Sequence, residues 1–214
     1  MKKAIIIGAR ADGHAKVVLE ILLAMKTFTV CGFVDDDPAK KGILIRGYPV
    51  LGGMNELQGL IKKLGIECGI AAIGHNEMRR NLSQQVENHG LELINAIHPT
   101  AHFDSDVQIG KGCYIGQGVI IVTGSKIGNN VNIHTGTTID HDNVIEDGAN
   151  IGPGTHSAGR VQIGKDAFLG TGTIVIPDIS IGESAVSGAG TVIIRDVPAF
   201  TKVVGNPART IGKK

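Results

Sequence analysis

The chain reads as two folds in series, a small parallel α/β unit over residues 1–95 and a parallel β-helix over residues 96–214. Three observations predict this. Up to residue 95, short aliphatic runs alternate with helical patterns, as strands and their covering helices do. From Ile97 the period changes to six and stays there without an insertion, and a fixed short period is the mark of a solenoid. Composition agrees, because aromatic residues are only 3%, Trp is absent and glycine reaches 31 residues. So few rings cannot fill an ordinary sandwich core, and so many glycines suit a backbone that turns tightly and often.

In chain order, Ala4–Ala9 reads as a buried strand and Gly13–Met25 as a helix with Val17, Val18, Ile21 and Leu22 on one side. FTVCGFVDDD is a second strand ending in acids. Helices over Asn55–Leu64 and Glu77–His89 flank the strand CGIAAIG, and LELINAI leads out. Ligands of such sheets bind at the carboxyl ends of the strands. Those ends are the Gly8–His14 turn, Asp35–Asp37 and Gly74–Asn76.

In the second half, aliphatic residues recur from Ile97, Phe103 and Ile109 through Ile151 and on to Ile193, with soft steps at Ser157 and Ser187. Four residues after each comes a mostly small one, such as Cys113, Ser125, Asn143 or Ala167. Glycines favour the second and fourth places of the repeat, as in Gly110/Gly112, Gly152/Gly154 and Gly170/Gly172. Both places are expected to be turns where a positive φ suits only glycine.

Charge and cysteine content narrow the function. Charged residues make up 19% and the net charge is +1, so neither a disordered tail nor a polybasic nucleic-acid face is expected. Cys31, Cys68 and Cys113 are scattered without metal-ligand spacing and read as small reduced core residues of a cytosolic protein, with no metal site. The opening MKKAIIIGA superficially resembles a signal peptide, but Arg10, Asp12 and His14 soon break its apolar run. No stretch is long enough to span a bilayer, so a soluble, cytoplasmic protein without membrane insertion is expected.

Five short stretches carry a family resemblance: Gly8-Ala9 with Gly13-His14-Ala15-Lys16, Phe33-Val34-Asp35-Asp36-Asp37, Ile73-Gly74-His75-Asn76 with Arg79, Ile139-Asp140-His141-Asp142, and Val204-Gly205-Asn206-Pro207-Ala208-Arg209. With these, the whole chain resembles the bacterial sugar acetyltransferases that join a Rossmann-like N-terminal domain to a left-handed β-helix of hexapeptide repeats. That group includes N-acetyltransferases of nucleotide-linked 4-amino-4,6-dideoxy sugars and sialic acid O-acetyltransferases. The resemblance implies direct attack on acetyl-CoA without an acyl-enzyme, and a homotrimer that binds the cofactor between neighbouring β-helices.

Acyl transfer to an amine or hydroxyl needs a general base and donors for the oxyanion. His141 is the candidate base, since imidazole titrates near neutrality and Asp142 beside it would strengthen its basicity. Consecutive strand residues face opposite ways, so the two can pair only at a turn. His141 falls at the third place of its hexapeptide, near a corner. Three hexapeptides make one coil in this fold, which puts Gly159 about 4.8 Å, one strand spacing, from His141. A glycine there leaves room for a thioester, and the resemblance makes it an acetyl-CoA contact. It also implies cofactor contacts at Asn150, Thr171 and Ala189. His134 and His156 read as surface histidines.

In the first half, Gly8–His14 follows a strand and opens a helix, where backbone N–H groups can meet a phosphate. The loop is longer than the family's Gly-Ala-x-Gly-His, and Arg10 is placed to compensate by meeting a diphosphate. The resemblance implies a substrate pocket of Asp12, Gly13, His14, Asp35, Asp36, Gly74, Asn76 and Arg79, with His14 near the sugar and the two acids on base or ribose. Arg79 is read as a diphosphate partner or an exposed helix cation, and Asp37 as a solvated turn acid. The leading expectation is N-acetylation of a nucleotide-linked amino sugar, with His141 as base. O-acetylation of a sialic-acid-type sugar and a non-catalytic nucleotide-binding trimeric scaffold are the alternatives.

Overall fold

The computed structural model describes residues 1–8 and 13–213. They fall into two compact units, Met1–Pro99 and Thr100–Lys214.

The first unit runs β1 (Lys2–Ile7), α1 (His14–Met25), β2 (Phe28–Val34), β3 (Leu44–Ile45), β4 (Tyr48–Gly52), α2 (Leu57–Leu64), β5 (Cys68–Ala71), α3 (Asn76–Asn88) and β6 (Glu92–Leu93). The sheet order is β3-β4-β2-β1-β5-β6, and β1 pairs in parallel with both β2 and β5. Ala4, Ile5, Ile6 and Ile7 are buried on both faces, as an internal strand of a parallel sheet must be. The helix α1 buries Ala15, Val18, Leu19 and Leu22, spaced i, i+3, i+4, i+7, together with Ile21. Val17, expected on that stripe, lies outside it and is exposed.

The hairpin β3–β4 was not legible beforehand. Its turn residues Arg46 and Gly47 both have positive φ, 48° and 85°, the requirement of a two-residue primed turn. An arginine where asparagine usually stands hides that signal. The chain enters β1, steps to β2 on one side, and returns to β5 on the other. The carboxyl ends of β1 and β5 therefore flank a switch point, where open α/β sheets bind ligands.

The second unit is a left-handed parallel β-helix of two-residue strands on three faces. One face stacks strands from Tyr114–Ile115 to Val186–Ser187, a second from His102–Phe103 to Val192–Ile193, and a third from Gln108–Ile109 to Ser180–Ile181. Within these three stacks the two-residue strands pair residues eighteen apart, as in Ile115↔Ile133 and Ile145↔Ile163. The first and fifth places of the repeat point inward, so Ile133, Ile139 and Ile151 pack with Val131, Ala149 and Val161, all at 0% exposure. The chain ends with Thr201–Val204, parallel to Val186–Ser187 and antiparallel to Arg209–Lys213.

The two glycine places serve different ends, which corrects the sequence expectation. Fourth-place glycines such as Gly112, Gly154 and Gly172 have φ between 64° and 70°. Second-place glycines such as Gly110, Gly152 and Gly170 do not. There a Cβ would come within 2.6–2.8 Å of atoms of the next coil, mostly its backbone. Place two needs glycine for close approach, and place four for handedness. The fourth place also admits Asn130, Asp142, Arg160, Asp166, Asp178 and Ser184 at φ of 53–63°.

Candidate active site

Residues 140–143 form one corner of the β-helix. Asp142 takes the left-handed conformation, φ 57°, which lifts the alternation of a strand and lets its side chain fold back on its neighbour. Its Oδ2 lies 2.8 Å from His141 Nδ1. With Asp142 charged, Nδ1 carries the proton and Nε2 keeps a free lone pair. Asp140 Oδ1 accepts from His141 N at 2.8 Å, so acids on both sides fix the backbone and the ring. The pair stays reachable, with side chains 40% and 60% exposed.

One coil further on, Arg160 N donates to His141 O at 2.9 Å. Gly159 therefore lies directly against the imidazole: a Cβ there would fall 2.6 Å from Cε1 and 2.9 Å from Cδ2, with Nε2 nearer still. Arg160 itself is gripped by Asp178, Nε to Oδ1 at 2.6 Å and an amino nitrogen to Oδ2 at 2.8 Å. The Arg160 guanidinium beside it holds the Asp178 carboxyl below its usual range. An opposed pair of charges thus borders the histidine on this corner.

Beneath the corner the interior turns polar. Asn143 is fully buried, and its amide nitrogen donates to Asp140 O at 2.8 Å, His141 O at 3.2 Å and Ala158 O at 2.8 Å. Ser157 Oγ donates to Asn143 Oδ1 at 2.6 Å, and Ser125 Oγ to Asp140 O at 2.9 Å. Sequence reasoning missed this group. Its signal was the soft step at Ser157, which passed as a blemish in the aliphatic ladder.

The expected cofactor residues do not all meet. Thr171 and Ala189 are exposed side by side on another corner, and Asn150 sits on the face with Tyr114 and Asn132, only 3% exposed. Of the expected cofactor residues, Gly159 is the one that this chain brings against His141. Of the other histidines, His156 is exposed beside Thr138 Oγ1, while His134 is half-buried with its ring 5.1 Å from that of Tyr114.

In the first unit, Gly8, Gly13, His14, Asp35, Asp36, Gly74 and Asn76 gather at the carboxyl edge of the sheet. Asp12 and Arg10 lie outside the described residues. Gly8 has φ 98°, and a Cβ on it would fall 2.9 Å from Ile73 Cγ1, so the β1 and β5 loops close on one another only through glycine. Gly13 opens α1, and His14 beside it is half-buried. Asp35 is 14% exposed and both its oxygens are 3.0 Å from Lys40 Nζ. Asp36 is exposed, and its Oδ1 accepts from Met54 N at 2.7 Å. Asp37 is a cap for the short helix Pro38–Lys40, accepting from Ala39 N at 3.0 Å, rather than a merely solvated acid.

Arg79 requires a correction. It is fully buried, neither an exposed cation nor open to a diphosphate. Its guanidinium donates to Ile73 O at 3.1 Å, Gly74 O at 3.3 Å and Asn76 Oδ1 at 3.2 Å. It shapes the loop that Gly74 and Asn76 occupy, while His75 Nδ1 caps α3 by accepting from Met78 N at 3.3 Å.

Among the described residues, no helix is long and apolar enough to cross a membrane and no group of three metal-ligating side chains is assembled.

Residues 3–86 match the PglD N-terminal domain family. The perosamine N-acetyltransferase of Caulobacter crescentus, solved with CoA and GDP-perosamine in a form with one histidine replaced by asparagine, is 38% identical with a TM-score of 0.92. That match covers 100% of this chain and 98% of its own. The acetyltransferase domain of PglB from Neisseria gonorrhoeae FA1090, solved with acetyl coenzyme A, is 31% identical with a TM-score of 0.88, over 98% of this chain and 99% of that one. The GDP-perosamine N-acetyltransferase of Escherichia coli O157:H7 is 32% identical over 136 residues, 64% of this chain and 59% of its own length. The chain spans less than two thirds of the curated relatives it matches. With similarity along its whole length to a solved relative and the histidine–carboxylate corner in place, the chain belongs to the bacterial sugar acetyltransferases of the hexapeptide family.

Proposed function

We propose that the protein transfers the acetyl group of acetyl-CoA to the 4-amino group of a nucleotide-linked 4-amino-4,6-dideoxy sugar, GDP-perosamine being the acceptor nearest at hand among its relatives. The observation that carries this reading is the His141 imidazole, held at Nδ1 by Asp142 and laid over Gly159. The sugar amine attacks the thioester carbonyl, forming the C–N bond as the C–S bond breaks. Nε2 of His141 takes the amine proton and passes it to the departing thiolate. Gly159 leaves the space that the imidazole itself fills, so the ring lies close against the next coil beside the thioester. The carboxyl edge of the first unit, with the N-terminus of α1, Asp36 and the Arg79-supported loop, holds the nucleotide.

The reading includes a homotrimer. Thr171 and Ala189 occupy a different corner from His141 and Gly159, so a cofactor touching both sets lies between two copies. It also includes a cytoplasmic setting, where acetyl-CoA and nucleotide sugars are both supplied.

The test is thiol release from acetyl-CoA with a panel of GDP-, UDP- and dTDP-linked 4-amino sugars, run beside His141→Ala. Turnover with one of them, lost by about 10²-fold or more in the variant, is the expected result. Full turnover in His141→Ala would remove the base assignment. Release only with a free sialic acid would make the reaction O-acetylation.

A further inference from the structure

The aliphatic ladder inside the β-helix breaks at Ser157, beneath the corner that carries His141. Elsewhere the repeat's fifth-place threonines bond second-place carbonyls. These belong to the next coil for Thr137 (to Gly152 O, 3.2 Å) and Thr155 (to Gly170 O, 3.4 Å), and to their own turn for Thr173 (to Gly170 O, 2.8 Å) and Thr191 (to Gly188 O, 2.7 Å), with the Ser187 hydroxyl 2.8 Å from that of Thr173. Asn143 makes the bond to the next coil, at Ala158 O, and two to its own turn, at Asp140 O and His141 O. One buried amide thereby ties the turn bearing the imidazole to the turn bearing Gly159. Ser157 stands where the adjacent coils have Ile139 and Val175, and its hydroxyl holds the amide oxygen at 2.6 Å. A primary amide can point either way round. The donor at Ser157 selects the orientation in which its N–H groups face all three carbonyls.

We infer that Asn143 and Ser157 are a positioning pair, an interior clamp that fixes the distance and tilt of His141 over Gly159 and gives up aliphatic packing to do so. The inference rests on the proposed role of His141 and adds residues that never touch substrate. Removing one partner strands the other, whereas removing both leaves Asp140 O with Ser125 Oγ and His141 O with Arg160 N and takes the side-chain donors only from Ala158 O, the cost of one stranded acceptor. Fold and catalysis can therefore be separated.

The experiment compares Ser157→Thr, Ser157→Val, Asn143→Val/Ser157→Val and Thr137→Val with the parent, using acetyl-CoA and the sugar nucleotide that it turns over. Thr and Val are isosteric, and the neighbouring Val175 gives the shape precedent. Ser157→Thr is expected to keep kcat within about twofold, and so is Thr137→Val, the same hydroxyl deletion away from this corner. Ser157→Val and the double variant are expected to lose about 10- to 100-fold in kcat, the effect of an ångström-scale misplacement. Both KM values should stay within about threefold, and the double variant should fold and unfold cooperatively, melting a few degrees below the parent.

A double variant with parental kcat, or a loss confined to KM, overturns the clamp. So does a fall in Ser157→Thr equal to that in Ser157→Val. Imidazole nitrogen shifts give a readout free of turnover: the Nδ1–H tautomer should dominate in the parent and Ser157→Thr and become mixed in the double variant. If His141→Ala keeps full turnover, the base assignment fails, and the shifts alone then decide the clamp.

Discussion

The imidazole of His141 occupies the space that a side chain on Gly159 would need. Gly159 has no positive φ to protect, so alanine there strains contact and not backbone. Gly159→Ala is expected to fold and assemble as the parent does while losing about 10²-fold in kcat, because the ring must swing aside. A melting curve and steady-state kinetics on one preparation check this. Parental kcat would mean that the ring is free to move.

Asp142 combines two properties that substitution can part. Its φ of 57° suits glycine better than any acid, and its carboxylate holds Nδ1. Asp142→Gly should melt within a few degrees of the parent and yet lose about 10²-fold or more in kcat. In combination with His141→Ala it should add almost nothing, since residues that act as a unit are not additive.

The two glycine places of the repeat should differ in sensitivity. In Gly170→Ala the new methyl meets Gly188 C at 2.7 Å and Ala189 N at 2.8 Å, and backbone cannot yield, so a cost of about 3 kcal/mol is expected. Gly172→Ala meets only Gly190 N at 3.9 Å and has φ 70°, for about 1 kcal/mol. Thermal midpoints of the two variants should rank in that order.

Arg79→Met removes donors from Ile73 O, Gly74 O and Asn76 Oδ1. Stranded acceptors cost about 1–3 kcal/mol, and the loop they belong to should loosen. We expect KM for the sugar nucleotide to rise about tenfold while KM for acetyl-CoA stays put. Equal changes in both would place Arg79 in general stability only.

Burial pushes the Cys68 thiol up to about 11. Because the folded value exceeds the ordinary 9.0, this group's contribution to stability is complete below pH 9 and is lost as pH climbs toward 11. At pH 8 the native protein should leave Cys68 and the equally buried Cys113 unreactive toward an aromatic disulfide reagent, with prompt reaction in denaturant. Thiol release assays on the native enzyme then carry little background from these two.

How much was legible follows from which physics leaves a periodic trace. The ladder of Ile133, Ile139, Ile145 and Ile151 was plain because stacked coils demand like residues at equal intervals. His141 and Asp142 were plain because the motif is local and the corner position follows from counting. Arg79 was misread since burial of a guanidinium depends on where carbonyls of a distant-looking loop end up. Asp142 as a left-handed residue was hidden because that conformation was expected of glycine only, although the fourth place also takes it at Asn130, Arg160, Asp166, Asp178 and Ser184. Asn143 with Ser157 was hidden because Ser157 breaks the aliphatic ladder, and in sequence alone a meaningful departure looks like drift. The hairpin at Leu44–Ile45 and Tyr48–Gly52 was lost to an unusual turn residue.

The eighteen-residue register contains a shorter one, and the two protect different things. Removing six residues anywhere in the β-helix would keep every downstream side chain on its inner or outer side, so the core would still close. It would also rotate everything beyond the cut by a third of a turn, carrying His141 away from Gly159 if the cut fell between them. Removing eighteen outside the stretch from His141 to Gly159 would keep both. A lineage trimming or lengthening this solenoid outside that stretch can thus change its height in whole coils without disturbing the reaction. A change of one hexapeptide in the wrong place would leave a sound protein with its chemistry dialled to an empty corner.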